Sequence, residues 1–114
     1  MTEGIKTIIY PVKDLARAKA LFSRLLGGQP DMDAPYYVGF SVGGQHIGLA
    51  PQGHSQGMTG PVGYWEVDDI KKSLKLLLNA GAHAQQEVKD VGGGKLIASV
   101  KDADGNVTGL MQSP

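Results

Sequence analysis

Cysteine is absent from this sequence, and long apolar runs are missing as well. Without cysteine the chain has no disulfide framework, no thiolate nucleophile and no cysteine-based zinc site. No apolar run is long enough to cross a bilayer, and the N-terminus lacks the apolar core of a secretory signal. These absences predict a soluble protein of the cytoplasm with no membrane partner.

Net charge is lacking too. Lys and Arg number 11 and Asp and Glu number 11, so the formal net charge is zero. Because nucleic-acid-binding proteins usually carry a basic patch, this balance argues against a nucleic acid as the partner. Apolar residues make up 41% and charged residues 19%, a composition too apolar for a disordered chain.

The first half of the chain is predicted to form a strand, a helix and further strands. Residues 4–12 are β-branched and aromatic, which favours a strand. Asp14 is placed to cap a helix over residues 14–26, whose apolar side chains recur at three- and four-residue spacing. Residues 29–34 leave room for one more short strand. Two extended runs joined by Gly43-Gly44 then predict a hairpin with a two-residue turn.

The same order recurs in the second half. Residues 62–67 are predicted to form a strand, and Asp69 can cap a helix that runs from Ile70 to about Ala80. Three further strands are predicted over residues 83–89, 95–101 and 106–112. The local sequence Val12-Lys13-Asp14-Leu15 is echoed by Val67-Asp68-Asp69-Ile70 at a spacing of 55 residues. Each half is therefore predicted to be one βαβββ module.

The module boundaries follow from composition. The first module is assigned to residues 1–52, a Gly- and Pro-rich linker to residues 53–61 and the second module to residues 62–114. Because a module of roughly 50 residues is too small to bury a core alone, the two are predicted to pack together as a single domain, 1–114.

Three motifs carry a resemblance to a known family. They are the Val-x-Asp-Leu that ends the first strand, the mid-chain Trp65-Glu66-Val67-Asp68-Asp69-Ile70, and the terminal Asp102-Ala103-Asp104-Gly105-Asn106-Val107. Together they resemble the vicinal oxygen chelate superfamily, which includes glyoxalases, bleomycin-resistance proteins and extradiol dioxygenases. The resemblance implies an α+β fold in which two βαβββ modules pair into a curled mixed sheet around a cleft. It also implies assembly of modules into larger units, so we expect a homodimer.

The resemblance also implies where a metal would bind. The ligand positions of metal-dependent members correspond here to Thr7, Gly48, Val62 and Gly109. Two glycines and a valine have no donor, and a lone threonine hydroxyl is a poor ligand for a divalent ion. We therefore expect no metal and no cofactor. The two glycines are expected to leave room where a ligand residue and its metal would otherwise lie.

Strand alternation extends these positions to a predicted lining of the cleft. The predicted ligand-binding residues are Thr7, Ile9, Tyr37, His46, Gly48, Val62, Tyr64, Glu66, Val107, Gly109 and Met111. The mixture of apolar, aromatic and a few polar groups is typical of a small-molecule pocket. Each polar residue also has an ordinary interpretation, since a strand-end histidine is often solvated and Glu66 precedes a helix cap. Trp65 points to the helix side and is predicted to belong to the core.

Three functions remain open from the sequence. The first is a metal-free module that binds a small organic molecule, as bleomycin-resistance-type members do. The second is a metal-independent isomerase or lyase with Glu66 or His46 as the catalytic general base. The third is a structural or regulatory domain whose sheet edges pair with another chain.

Overall fold

A computed structural model describes residues 2–114 of the chain. In chain order the elements are β1 (Thr2–Pro11), α1 (Leu15–Leu26), β2 (Met32–Ala34), β3 (Tyr37–Val42), β4 (Gln45–Ala50), a short 3-10 helix (His54–Gln56), β5 (Val62–Val67), α2 (Ile70–Asn79), β6 (His83–Asp90), β7 (Leu96–Lys101) and β8 (Val107–Gln112). Two compact units result: residues 7–61, and residues 62–114 together with residues 2–6. The α+β class and the repeated βαβββ order are confirmed.

The unit of residues 7–61 is a four-stranded mixed sheet in the order β2-β3-β4-β1. β4 runs parallel to β1, with Ile47 beside Ile8, and antiparallel to β3, with Gly48 beside Gly39. The β3–β4 hairpin turns at Gly43 and Gly44, whose φ angles of 54° and 80° are the left-handed values that this turn requires. The two-residue turn and its register are therefore as the sequence predicts.

One face of this sheet is covered by α1. Its core consists of the buried residues Val38, Phe40, Ile47 and Leu49, and the apolar face of α1 packs against them. Phe22 of α1 lies 5.0 Å from Tyr10 and 6.4 Å from Phe40 between ring centroids. The helix begins where Asp14 accepts a hydrogen bond from the Arg17 amide at 3.0 Å, the cap that the sequence predicts.

The other unit repeats this topology with β5, β8, β7 and β6 in that order. β5 runs parallel to β8, with Tyr64 beside Gly109. α2 covers one face over a buried core of Val67, Ile70, Leu74, Ala98, Val100 and Leu110. Asp69 accepts from the Lys72 amide at 3.1 Å, and the Gln112 side chain from β8 accepts from the Ile70 amide at 2.8 Å. The start of α2 is therefore held both by its own cap and by the last strand.

The expected place of Trp65 in the core is wrong. Its side chain lies on the helix side of β5, but it remains 38% exposed. The main contacts of α2 are with β6, β7 and β8, and Trp65 on β5 is left only partly covered. Across residues 2–114, neither helix has the length and apolar character needed to span a membrane.

Candidate functional site

The sheet face away from α1 carries five of the predicted ligand-binding residues. Because Ile8, Tyr10, Ile47 and Leu49 pack toward α1, alternation places their neighbours on the opposite face. These neighbours are Thr7, Ile9, Tyr37, His46 and Gly48, and His46 lies beside Thr7 in register. Thr7 is 3% exposed, whereas Tyr37 and His46 are half-buried.

A direct contact joins Tyr37 to His46. The Tyr37 hydroxyl and His46 Nε2 share a hydrogen bond of 2.7 Å. The hydroxyl donates when Nε2 is unprotonated, and Nε2 donates when it carries a proton. The two rings lie nearly in the same orientation, with an angle of 15° between their planes and 6.0 Å between their centroids. The pair therefore combines flat aromatic surface with a hydrogen-bonding edge.

Two paired glycines lie beneath these rings. A Cβ atom at Gly39 would approach His46 Cε1 to 2.6 Å, and one at Gly48 would collide with the Tyr37 hydroxyl and reach Ile9 Cδ1 at 2.7 Å. The expectation that Gly48 leaves room is therefore wrong, because Tyr37 and Ile9 already fill that room. Gly39 was missed from the sequence, although the hairpin register that pairs it with Gly48 could have identified it.

In the other unit, the face away from α2 carries the remaining six predicted residues, Val62, Tyr64, Glu66, Val107, Gly109 and Met111. The ring of Tyr64 lies over Gly109, where a Cβ would approach Tyr64 Cε2 and Cγ to 2.7 Å. Burial raises the pKa of Tyr64 above its usual value of 10.0, because the charged phenolate would lose hydration. The room expected at Gly109 is thus filled in the same way.

Glu66 is held by the two ends of its unit. Its Oε2 accepts from the Ser113 amide at 2.9 Å, and its backbone carbonyl accepts from the Thr2 hydroxyl at 2.7 Å. The same hydroxyl accepts from the Gly4 amide at 3.0 Å. These bonds give Glu66 a structural role at the end of β5, whatever further role it has.

The metal that the family resemblance implies does not fit these residues. Thr7 supplies one neutral hydroxyl in its unit, and Gly48, Val62 and Gly109 supply no side-chain donor. Throughout residues 2–114, no three side chains of the His, Cys, Asp or Glu type lie together as a metal site requires. A divalent ion would lose water ligands there without adequate replacement.

An open groove of about 410 Å³ lies between α2 and β6 in the second unit. Its lining includes Lys71, Leu74, Lys75, Leu78, Glu87 and Val88, so it lies on the helix side of that sheet. None of the predicted ligand-binding residues contributes to it.

The fold is that of an α+β protein built from two βαβββ modules. The family model of the Glyoxalase/Bleomycin resistance protein/Dioxygenase superfamily matches residues 4–110, and the chain belongs to this superfamily. The resemblance seen in the sequence motifs is confirmed. No curated protein sequence matches the chain.

Solved structures show the same fold at low sequence identity. A superfamily member from Vibrio splendidus 12B01 is 16% identical, with a TM-score of 0.72 over 99% of this chain and 100% of that one. Methylmalonyl-CoA epimerase from Mycobacterium tuberculosis is 17% identical, with a TM-score of 0.72 over 99% and 90%. An NAD-dependent benzaldehyde dehydrogenase from Legionella pneumophila is 16% identical, with a TM-score of 0.74 over 95% and 98%. At these identities the similarity establishes the fold and leaves the activity open.

Proposed function

We propose that this protein binds a small organic molecule, without a metal, on the sheet face that carries Tyr37 and His46. The observation that supports the proposal is the 2.7 Å hydrogen bond between these two half-buried side chains. A convergent polar pair beside apolar side chains such as Ile9 is the composition that small-molecule sites use.

Metal-independent binding is supported by the donor set. Because the family's ligand positions offer one neutral hydroxyl, a ligand would be held by hydrogen bonds and aromatic contacts. We expect purified, untagged protein to contain well under one equivalent of Fe, Ni, Zn, Co or Mn by elemental analysis. One tightly bound equivalent, with binding lost on chelation, would overturn this part of the proposal.

Binding is tested with a library of small soluble acids, amides and alcohols in the presence of a chelator. Two-dimensional amide NMR should show that at least one compound shifts the signals of Tyr37, His46 and Gly48. Tyr37→Phe removes one hydroxyl and should weaken the binding of that compound by about 0.5–1.5 kcal/mol. Tyr36→Phe is the matched control, since Tyr36 is the exposed neighbour of Tyr37. A library in which no compound shifts these signals would refute the proposal.

A second candidate function is a metal-independent isomerase or lyase. The hydrogen bond that supports binding also supports proton transfer, because imidazole and phenol can exchange a proton across it. The candidate general bases are His46 and Glu66, which already make hydrogen bonds to the Tyr37 hydroxyl and the Ser113 amide respectively. Methylmalonyl-CoA epimerase is among the structural relatives. His46-dependent exchange of solvent deuterium into a bound compound with an acidic C–H would favour this function over simple binding.

We further propose that the protein is a homodimer and that it works in the cytoplasm. A chain of 12.0 kDa has a small core of its own, and assembly would extend it. Light scattering at tens of micromolar should give twice the chain mass, and a monomer mass would contradict the dimer. Cell fractionation tests the location.

A further inference from the structure

We infer that the ligand of this site is a planar aromatic molecule that stacks on the paired rings of Tyr37 and His46. The inference rests on the proposed function and names its ligand class. We call the surface formed by Tyr37 and His46, together with the underlying Gly39 and Gly48, the ring platform.

The two rings of the platform are nearly parallel. Their planes differ by 15° and their centroids lie 6.0 Å apart. The hydrogen bond joins the rings edge to edge, from the hydroxyl of one to Nε2 of the other. It therefore holds both rings in a fixed mutual orientation, which two unconnected side chains would have to adopt at a cost in entropy on binding.

The glycine pair is what allows the rings to lie close to the sheet. Gly39 and Gly48 are partners in the β3–β4 register, so they form one strip without side chains. A Cβ at Gly39 would come within 2.6 Å of His46 Cε1, and a Cβ at Gly48 would come within 2.7 Å of Tyr37 Cζ. The rings thus lean toward each other over this strip and occupy the space that side chains at both positions would take.

The ring platform differs from the aromatic core of the same unit. Phe40 is 2% exposed and packs under α1, whereas Tyr37 and His46 are half-buried on the opposite face. Flat aromatic surfaces prefer offset stacking with another aromatic ring and gain binding energy beyond that of the area buried. A saturated ring of the same size lacks that gain.

Two matched pairs of acids test the inference: benzoate with cyclohexanecarboxylate, and naphthoate with its fully saturated decalin analogue. Each pair keeps the carboxylate and changes only the planarity of the ring. We expect at least one aromatic acid to bind roughly threefold to tenfold more tightly than its saturated partner. Amide NMR should place the shifts at Tyr37, His46 and the paired glycines.

Variants then test whether the rings of Tyr37 and His46 cause the preference for aromatic acids. Tyr37→Leu and His46→Gln each remove one ring, and the second keeps a hydrogen-bonding group. Both should reduce the preference for the aromatic acid, while Tyr36→Leu, at the exposed neighbouring position, should leave it unchanged. If Tyr37→Leu fails to fold, His46→Gln alone decides the outcome. A preference that survives both ring deletions would overturn the inference.

The result is separable from that of the proposed function. If no aromatic acid binds more tightly than its saturated partner, the inference is overturned, even when library compounds still bind at Tyr37. If no library compound shifts the signals of Tyr37 and His46 at all, the proposed function itself fails, and the inference fails with it.

Discussion

The two units share one topology and differ in what they place on the sheet face away from their helix. In the unit of residues 7–61, Tyr37 of the third strand and His46 of the fourth meet over paired glycines. In the other unit, Tyr64 of the first strand covers Gly109, with Val107 two residues before that glycine on the same strand. Over residues 2–114, the repeated backbone therefore carries a hydrogen-bonded Tyr37–His46 pair in one unit and a single tyrosine ring over a glycine in the other. Backbone topology and site chemistry vary independently within this one chain.

The two units also differ in the turn of the hairpin that joins their last two strands. Between β3 and β4 the chain turns on two glycines with left-handed φ angles. Between β7 and β8 it turns through residues 102–106, where Asp102 accepts from the amides of Asp104 and Asn106 at 2.9 and 2.8 Å. The second turn also contains a left-handed glycine, Gly105 with a φ angle of 88°, and adds the side-chain hydrogen bonds of Asp102.

The largest expected effect compares one aromatic residue from each unit. Phe40→Ala should lower the free energy of unfolding by about 3–5 kcal/mol, because a fully buried ring leaves a cavity. Trp65→Ala should cost less, about 1–2 kcal/mol, since the residue keeps 38% of its surface exposed. Urea unfolding measures both. An equal loss in the two variants would show that Trp65 is covered in solution, for example by a second chain.

The next effect concerns the two covered glycines. Gly109→Ala should destabilise by about 1–3 kcal/mol, because the new methyl group meets the Tyr64 ring near its attachment. Gly48→Ala should cost less, since it meets the far ends of the Tyr37 and Ile9 side chains, and a shift of Tyr37 would cost mainly its hydrogen bond to His46. Gly28→Ala is the control, because nothing lies within 4 Å of a Cβ there. A larger loss at Gly48 than at Gly109 would contradict this order.

Removing the N-terminal cap of either helix should lower the stability of the protein by the same amount. Asp14 and Asp69 each accept from the amide three residues later, at 3.0 and 3.1 Å. Asp14→Ala and Asp69→Ala should each destabilise by about 1 kcal/mol. Asn substitutions at the same positions keep the cap and should restore most of that stability. An effect in only one unit would break the parallel between the two helices.

The smallest effect is a pH dependence that Asp102 contributes in the second unit. Hydrogen bonds from the backbone amide of Asn106, and then from its side chain, lower the pKa of Asp102 from its ordinary value of 3.8. The stabilisation is complete above the unfolded-state pKa and is lost as the pH falls through the lower folded-state pKa. Asp102→Asn should therefore lose stability relative to the native protein at neutral pH, and the difference should shrink in acid.

Denaturation at a series of pH values measures this difference. Asp104→Asn is the matched control in the same turn, because its backbone amide rather than its carboxylate makes the bond to Asp102. A difference between Asp102→Asn and the native protein that stayed constant down to strong acid would contradict the assignment.

Much of the fold could be predicted from local patterns. The helix starts at Asp14 and Asp69, the turn at Gly43-Gly44 and the βαβββ repeat are properties of residues close together in sequence. Capping side chains and left-handed glycines act on the backbone within a few residues, so their consequences can be inferred without knowing the tertiary structure. Strand alternation extended this to the sheet face on which each candidate site residue lies.

The sequence by itself determined the order of the elements, the register of the β3–β4 hairpin and the lack of metal-ligating side chains at the family's ligand positions. Only the tertiary structure decided that Tyr37 joins His46 over two glycines, that Tyr64 fills the space at Gly109, and that Trp65 stays partly exposed. The physical reason is the separation in sequence of the residues that interact. Backbone conformation follows from neighbours in the chain, whereas the filling of a space depends on side chains that are distant in sequence and meet only after folding.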